Sequence, residues 1–171
     1  MPETAAARAH VELLVHSFAE RRDEIALVYG QRRISYGQLA DQVYRLARAL
    51  SDQGARPGRI ITLLGGNSPD VLVAKHAANL VGCGVTQLYG GMSAESQAKI
   101  VDDVDTALLL VHPDFAERAE QVLRHCPPGA VLWLGPGRGT DLLALAAEQS
   151  AEPYACQARP EDVQHIRHTG G

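Results

Sequence analysis

The sequence predicts an α/β fold: a wound, mostly parallel sheet flanked by helices, with a small N-terminal hairpin. Apolar residues alternate between a helical period and short strand-like runs, and this alternation repeats about four times. The connections between these segments are short. Strands that alternate with helices in this way form parallel sheets with the helices on their faces. The 171 residues suffice for one such domain with its own core.

The N-terminal third is predicted to form a helix, a hairpin and a second helix. In "HVELLVHSFAERR" the apolar residues share one helical face, and "IALVYGQRRISY" is typical of a hairpin that turns at Gly30 and Gln31. Ser35 and Gln38 have capping-box spacing and open the next helix, which Gly54 ends. The apolar stripe of this helix comprises Leu39, Val43, Leu46 and Leu50.

Four strand–helix pairs and a last strand are predicted to follow. The strands are "RIITLLGG", "GVTQLYGG", "TALLLV", "AVLWLG" and, at the end, "DVQHIRH". The helices are one capped by Ser68 with Pro69 and Asp70 in its first turn, one capped by Ser93, "PDFAERAEQVLRHC" and "TDLLALAAEQ". Residues 150–162 are expected to be an irregular crossing segment.

Composition excludes several classes of function. The net charge of −4 argues against a nucleic-acid partner, which requires a basic face. Three widely spaced cysteines predict neither a disulfide framework nor a zinc site. No segment approaches the ~20 apolar residues of a membrane helix, and the N-terminus has no apolar signal core. We therefore expect a cytoplasmic protein with no membrane span.

Most candidate sites are better explained by structure than by chemistry. "GPGRGTD" at 135–141 lacks the last glycine of a dinucleotide loop, so a mobile surface loop is favoured. "GGNSPD" could bind an anion at a helix start, but capping is favoured because Asp70 would repel an anion. His76, His125 and His165 are expected to be packed or surface residues. No metal-ligand spacing and no G-x-S-x-G are present, so no catalytic residue and no metal ligand are predicted.

The last residues, "IRHTGG", place Thr-Gly-Gly directly after a predicted strand. Such a turn can present a hydroxyl and backbone N–H groups to phosphate oxygens. It lacks the lysine of a Walker loop. From spacing alone, the sequence supports a cytosolic α/β domain and no specific activity.

The ordered segments resemble the N-terminal region of AMP-forming acyl- and aryl-CoA ligases, which share a superfamily with peptide-synthetase adenylation domains and luciferases. The resemblance runs from about residue 10 to the end, and "HTGG" resembles the start of the family's phosphate loop, [YH]-T-S-G-T-T-G-x-P-K-G. The matching positions are Ser35, Tyr36, Leu39, Ala47, Leu50, Gly54, Pro57, Gly58, Asn67, Gly82, Val85, Leu88, His168, Thr169, Gly170 and Gly171.

Four positions depart from the family pattern. Arg59 stands where an acidic residue is usual, Gln38 replaces a frequent Glu, and Gln87 stands where Pro is common. Gly170 replaces the usual Ser, a variant associated with some fatty-acid and aromatic-acid ligases. None of these changes touches the chemistry directly, so the fold assignment is expected to hold.

The resemblance implies that 1–171 is a partial N-terminal domain, the first α/β subdomain of an adenylate-forming enzyme, truncated in its phosphate loop. The implied reaction joins a small carboxylic acid to CoA through an acyl-adenylate, with ATP and Mg²⁺ as cofactors. Thr169, Gly170 and Gly171 would contact the nucleotide, and the chain alone is expected to be inactive and to form homodimers through exposed surface. The alternatives are a carrier-protein-loading adenylation domain, a luciferase-like member, or a short α/β binding domain without catalysis.

Overall fold

Strands and helices alternate along the chain in the computed structural model, which describes residues 8–168. The strands are β1 (Ile25–Tyr29), β2 (Arg32–Ser35), β3 (Ile60–Leu64), β4 (Gly84–Gln87), β5 (Thr106–Val111), β6 (Ala130–Trp133), β7 (Thr140–Asp141) and β8 (His165–Ile166). The helices are α1 (His10–Glu20), α2 (Tyr36–Asp52), α3 (Pro69–Leu80), α4 (Ala94–Asp103), α5 (Ala116–Leu123) and α6 (Leu142–Ala147), with a 3₁₀ turn at Pro113–Phe115. The predicted α/β alternation is confirmed.

The strands form two sheets, as predicted. β1 and β2 pair antiparallel in a hairpin, and the other six strands form one parallel sheet in the order β7-β6-β5-β3-β4-β8. In this sheet Ile61 of β3 lies beside Val85 of β4 on one side and Leu108 of β5 on the other. The chain thus begins the sheet at its centre and winds outward in both directions.

Helices cover both faces of the parallel sheet, because successive strand residues point to opposite sides. Leu63 and Leu110 belong to the larger core, which includes residues of α1, α2, α3 and α6. Leu64 and Val111, their neighbours along the strands, belong to the second core with α4 and α5. Each helix within residues 8–168 is either too short or too polar to cross a membrane.

The predicted helix starts are confirmed by their capping contacts. The Gln38 N–H donates to Ser35 Oγ at 3.2 Å, and the Gln38 side chain accepts from the Ser35 N–H at 2.9 Å. Ser68 Oγ accepts from the Val71 N–H at 3.3 Å. Ser93 caps α4 in the same way. These caps were predictable because each depends on residues three apart.

Several predicted elements differ in their bounds, and three of these differences concern pairing or helix type. The helix predicted from Thr140 begins only at Leu142, because Thr140 and Asp141 form β7 beside β6 and the Asp141 carboxylate then caps α6. The helix predicted from Pro113 is divided into the 3₁₀ turn and α5. The predicted last strand is shorter, and only His165 and Ile166 pair with β4.

Candidate functional site

The parallel strands β3, β4, β5 and β8 end at the same edge of the sheet. The loop after β3 leads to α3 on one face, whereas the loop after β4 leads to α4 on the other face. In open α/β sheets, ligands bind where neighbouring loops leave in opposite directions at the carboxyl ends of the strands. This edge is therefore the candidate functional site.

A crevice of about 290 Å³ lies at the ends of β3 and β4. The Gln87 side-chain N–H donates to the Gly65 carbonyl at 3.0 Å and joins the two strand ends. A Cβ at Gly65 would lie 2.6 Å from a methyl carbon of Val71, so only glycine fits at this position. Phe115 lines the crevice, and Tyr89 lies at its rim with 73% of its surface exposed.

The N-terminus of α3, beside this crevice, is capped by the side chain of Ser68. Ser68 Oγ accepts a hydrogen bond from the Val71 N–H, and the Asp70 carboxylate lies in the first turn of the helix. The prediction that this motif caps the helix is confirmed, and the helix end has little capacity left to bind an anion.

β8 is held against β4 by one buried side chain. Asn79 of α3 is 1% exposed, and its Nδ2 donates to the carbonyls of Cys83 at 3.0 Å and Gln164 at 2.9 Å. The Gln164 carbonyl also accepts from the Val85 N–H at 3.0 Å. A Cβ at Gly84 would lie 2.8 Å from the Val163 carbonyl oxygen, so this contact also depends on glycine.

The segment 148–164, which leads to β8, is fastened to α2 by two arginines. Arg48 donates to the main-chain carbonyls of Ser150 at 3.0 Å, Glu152 at 2.8 Å and Pro153 at 3.2 Å. Arg45 donates to the carbonyl of Ala147, the last residue of α6, at 2.9 Å. It also donates to the carbonyl of Gln149. These contacts hold the segment against α2 where it crosses the helical layer toward the sheet edge at which β8 pairs.

A second cleft, also of about 290 Å³, opens beside β8 and is lined by Lys75, Gln87, His165, Arg167 and His168, among others. Burial and the nearby Arg167 lower the pKa of Lys75. Burial and the cations Lys75 and Arg167 lower the pKa of His165. Positive charge thus accumulates where β8 ends.

The predicted nucleotide contacts, Thr169, Gly170 and Gly171, lie outside the described residues 8–168. In the sequence they directly follow β8, Arg167 and His168. Their role in binding stays a prediction.

The remaining sequence candidates have structural explanations. The loop at 135–139 is folded over the Trp133 side chain, against which Gly137 packs. His125 is exposed just after α5, as expected for a surface histidine. Burial lowers the pKa of His76 to about 4, so its imidazole is neutral at pH 7.

The cysteines are protonated thiols. Burial raises the pKa of Cys83 to about 11, and its Sγ donates to the Arg56 carbonyl at 3.1 Å. Burial also raises the pKa values of Cys126 and Cys156. All three are free, and within residues 8–168 no group of three or more His, Cys, Asp or Glu is arranged to hold a metal.

Sequence reasoning did not identify Asn79, Lys75 or the two arginines of α2 as parts of the site. Asn79 carried a usable signal, since it is a polar residue inside the apolar run "AANLV" of a buried helix. The arginines carried none, because their partners lie about 100 residues later in the chain. Gln87 was noted only as a departure from a proline position, yet its side chain joins β3 and β4.

Curated relatives align with almost the whole chain. A medium/long-chain-fatty-acid–CoA ligase of Mycobacterium tuberculosis is 30% identical over 169 residues, which are 93% of this chain and 30% of that protein. An acetyl-coenzyme A synthetase of a Shewanella species is 35% identical, with 95% of this chain and 29% of that protein covered. The chain spans about 30% of the length of these relatives.

Solved structures share the fold. An anthranilate CoA ligase in complex with anthranoyl-AMP superposes with a TM-score of 0.86 at 18% identity, over 98% of this chain and 32% of that one. An amide bond synthetase from Marinactinospora thermotolerans gives a TM-score of 0.79 at 26% identity, over 90% of this chain and 30% of that one. Residues 14–171 also match the family model described as AMP-binding enzyme. The chain therefore belongs to the AMP-binding enzyme family, in agreement with the CoA ligase and the acetyl-coenzyme A synthetase among its relatives.

Proposed function

We propose that this chain forms the first α/β subdomain of an ATP-dependent, AMP-forming ligase that joins a fatty or aromatic carboxylic acid to the thiol of CoA. The proposal extends the family assignment of residues 14–171 to the activity of the whole protein. The observation that carries it is the position of β8, which pairs with β4 at the carboxyl edge and continues into Thr169, Gly170 and Gly171.

The proposed reaction has two steps. The carboxylate of the acid attacks the α-phosphorus of ATP, which gives the acyl-adenylate and releases pyrophosphate. The thiol of CoA then attacks the acyl carbon and displaces AMP. Negative charge on the phosphates must be neutralised during the first step.

The described residues fit the nucleotide better than the metal. Lys75 and Arg167 give the end of β8 a positive environment, which suits the phosphates of ATP. Thr169 would donate its hydroxyl, and Gly170 and Gly171 their backbone N–H groups, to phosphate oxygens. Residues 8–168 offer no carboxylate set for Mg²⁺, so we assign it no ligand among them.

ATP–pyrophosphate exchange tests the first step. A protein that contains this chain together with the length found in its relatives should exchange pyrophosphate in the presence of a suitable acid. Thr169→Ala should reduce the exchange rate about tenfold or more, the loss expected for one preorganised donor. An unchanged rate in this variant would contradict the proposed role of the loop.

The chain of 171 residues alone should show no exchange above background, because it provides only the start of the phosphate loop. Exchange by the chain alone would contradict this part of the proposal. The same assay separates the ligase from a binding domain without catalysis, which would show no exchange at any length.

The acceptor is tested separately, since a carrier-protein-loading enzyme and a luciferase-like enzyme would also form the adenylate. Hydroxylamine intercepts an acyl-adenylate whatever the natural acceptor is. Formation of the acyl-CoA thioester with free CoA supports the proposed function, whereas hydroxamate formation without thioester formation would favour the carrier-protein-loading enzyme. The cytoplasmic location stays a prediction.

A further inference from the structure

Two cations and a histidine meet on one side of β8, and we propose that Lys75, His165 and Arg167 form a separate binding site for a phosphate group. The ligand class is inorganic phosphate, pyrophosphate or the phosphate end of a nucleotide. The site is built from residues outside Thr169–Gly171. Its existence therefore does not rest on the proposed function of that loop.

The backbone places these residues together. β4 and β8 are parallel, with Val85 beside His165. His165 therefore lies on the face on which Val85 packs with α3, and Arg167, which directly follows β8, lines the same cleft. Lys75 reaches the same cleft from α3.

The cleft has the size and lining for a phosphate ligand. Its volume of about 290 Å³ leaves room for pyrophosphate and some solvent. Gln87 contributes an amide to the lining, and one of its two N–H groups is taken by the Gly65 carbonyl. The other N–H is a further donor for an oxyanion.

Acidic partners for the cations of the cleft are absent from the described part of the chain. Four arginines within residues 8–168 have acidic partners, for example Arg22 with Asp41 at 3.7 Å and Arg59 with Asp105 at 3.7 Å. Within residues 8–168, neither Lys75 nor Arg167 forms an ion pair.

The titration of the surrounding groups reflects the same imbalance. Burial and neighbouring cations lower the pKa values of Lys75, His76 and His165, and His10 of α1 adds to the effect on both histidines. Among residues 8–168, no carboxylate contributes to the shifts of these pKa values. A bound anion would relieve this repulsion and favour the charged form of His165.

Phosphate suits this set of donors better than a single carboxylate does. Lys75 and Arg167 carry two permanent charges, which match a dianion. The planar guanidinium of Arg167 can donate two parallel hydrogen bonds to phosphate oxygens, and the Lys75 ammonium acts as a point charge. His165 gains a proton as the dianion binds and adds a third donor.

NMR titration of the whole chain tests the site. Inorganic phosphate, pyrophosphate and ATP are added in separate experiments at constant ionic strength, and the ring resonances of His165 are followed. We expect saturable shifts, a rise in the pH midpoint of His165, and tighter binding of pyrophosphate than of phosphate. ATP that binds no more tightly than pyrophosphate would identify the phosphates as the recognised group.

The two lysines of the chain provide a matched control, because Lys75 lies in the cleft and Lys99 lies on α4 on the opposite face. Lys75→Gln and Arg167→Gln should each weaken pyrophosphate binding at least about fivefold, as expected for loss of a charge-assisted contact. Lys99→Gln makes the same change in net charge and should leave the affinity unchanged. Lys75→Arg should retain most of the binding, which separates loss of charge from loss of fold.

Several results would overturn the proposal. One is the absence of saturable shifts up to about 50 mM phosphate or pyrophosphate, a range that covers even weak millimolar binding. Another is equal weakening by Lys75→Gln and Lys99→Gln, which would indicate a general effect of net charge. Tight ATP binding that is unaffected by Lys75→Gln and Arg167→Gln would place the phosphates elsewhere, whatever the exchange assay shows for Thr169.

Discussion

The guanidinium carbon of Arg48 lies 5.5 Å from the centroid of the Tyr154 ring. The Tyr154 hydroxyl lies 2.8 Å from Ser51 Oγ and accepts a hydrogen bond from the Gln157 side chain at 2.6 Å. Together with the carbonyl contacts of Arg48, these interactions hold the crossing segment on α2. The segment determines where β8 meets the sheet, so a contact on the helical layer contributes to the geometry of the sheet edge.

Replacing Arg48 tests this connection. Arg48→Ala removes the donor to three carbonyls of the crossing segment and the cation that lies over Tyr154. We expect a loss of about 2 kcal/mol in the free energy of unfolding, measured by urea denaturation. Arg33→Ala is the matched control, because Arg33 is exposed on β2 and donates no side-chain hydrogen bond within residues 8–168. A control that loses as much stability as Arg48→Ala would contradict the interpretation.

Replacing Asn79 tests the anchoring of β8. Asn79→Leu keeps a similar volume but removes the amide that binds the carbonyls of Cys83 and Gln164, and should cost about 1–3 kcal/mol. Hydrogen exchange should show a local effect as well, with protection of the Val85 amide falling more than that of Leu110 in the central strand β5.

The control for this change is Asn67→Leu, at an exposed position in the loop after β3. It should alter stability by no more than about 0.5 kcal/mol. If Asn79→Leu lowers protection of Val85 and Leu110 to the same extent, Asn79 stabilises the fold as a whole and does not specifically hold β8.

Two glycines give a prediction about close packing. A Cβ at Gly84 would lie 2.6 Å from the Ile60 side chain and 2.8 Å from the Val163 carbonyl oxygen, whereas a Cβ at Gly90 would meet nothing within 4 Å. Gly84→Ala should therefore destabilise the protein by about 2 kcal/mol, and Gly90→Ala should be nearly neutral. Thermal unfolding measures both, and similar melting temperatures for the two variants would contradict the packing argument.

Stability should depend on pH through His76. Its pKa falls from 6.5 to about 4 on folding, mainly because of burial, so between these values the unfolded chain binds more protons than the folded one. The stabilisation is complete above pH 6.5 and is lost as the pH falls toward 4, by up to about 3 kcal/mol.

The variant His76→Gln should show a flatter dependence of the urea midpoint on pH between 4.5 and 7. His125→Gln, at an exposed position, should keep the slope of the original protein. A slope in His76→Gln that equals the original would mean that another group causes the pH dependence.

The exposed edge beside β8 should favour self-association. Val163 is 59% exposed next to β8, the last strand in this direction within residues 8–168. Unpaired edges and exposed apolar side chains promote contacts between chains. Sedimentation at high protein concentration should show dimers, and Val163→Lys should reduce them. Leu13→Lys changes an exposed residue of α1 and should have no effect; a monomer at every concentration would contradict this prediction.

The predictable parts of the fold depend on local signals. The capping contacts of Ser35, Ser68 and Ser93 involve residues three positions away, and the buried stripe of α2 repeats at the helical period. The missed parts depend on distant partners. β7 exists because Thr140 pairs with Leu132 of β6, and this pairing outweighs the helical pattern that begins at the same residue.

The candidate site was predictable only in outline. The resemblance and the strand–helix order placed it at the carboxyl end of the last predicted strand, and that location stays a prediction. The anchoring by Asn79 and the cationic cleft around Lys75 could not be predicted, because both result from the packing of α3 against β8, about 85 residues later in the chain. The contacts predicted for Thr169, Gly170 and Gly171 stay predictions.

The hydrogen bonds that Arg45 and Arg48 donate to the crossing segment all go to peptide carbonyls, and Tyr154 is the side chain that Arg48 also contacts. Every amino acid, proline included, carries that acceptor. Substitutions at residues such as Ala151 and Glu152 should therefore leave the contacts with Arg45 and Arg48 intact. The same tolerance makes position 151 or 152 suitable for a fluorophore. A label there would report on the crossing segment and would leave its carbonyl contacts with Arg45 and Arg48 in place.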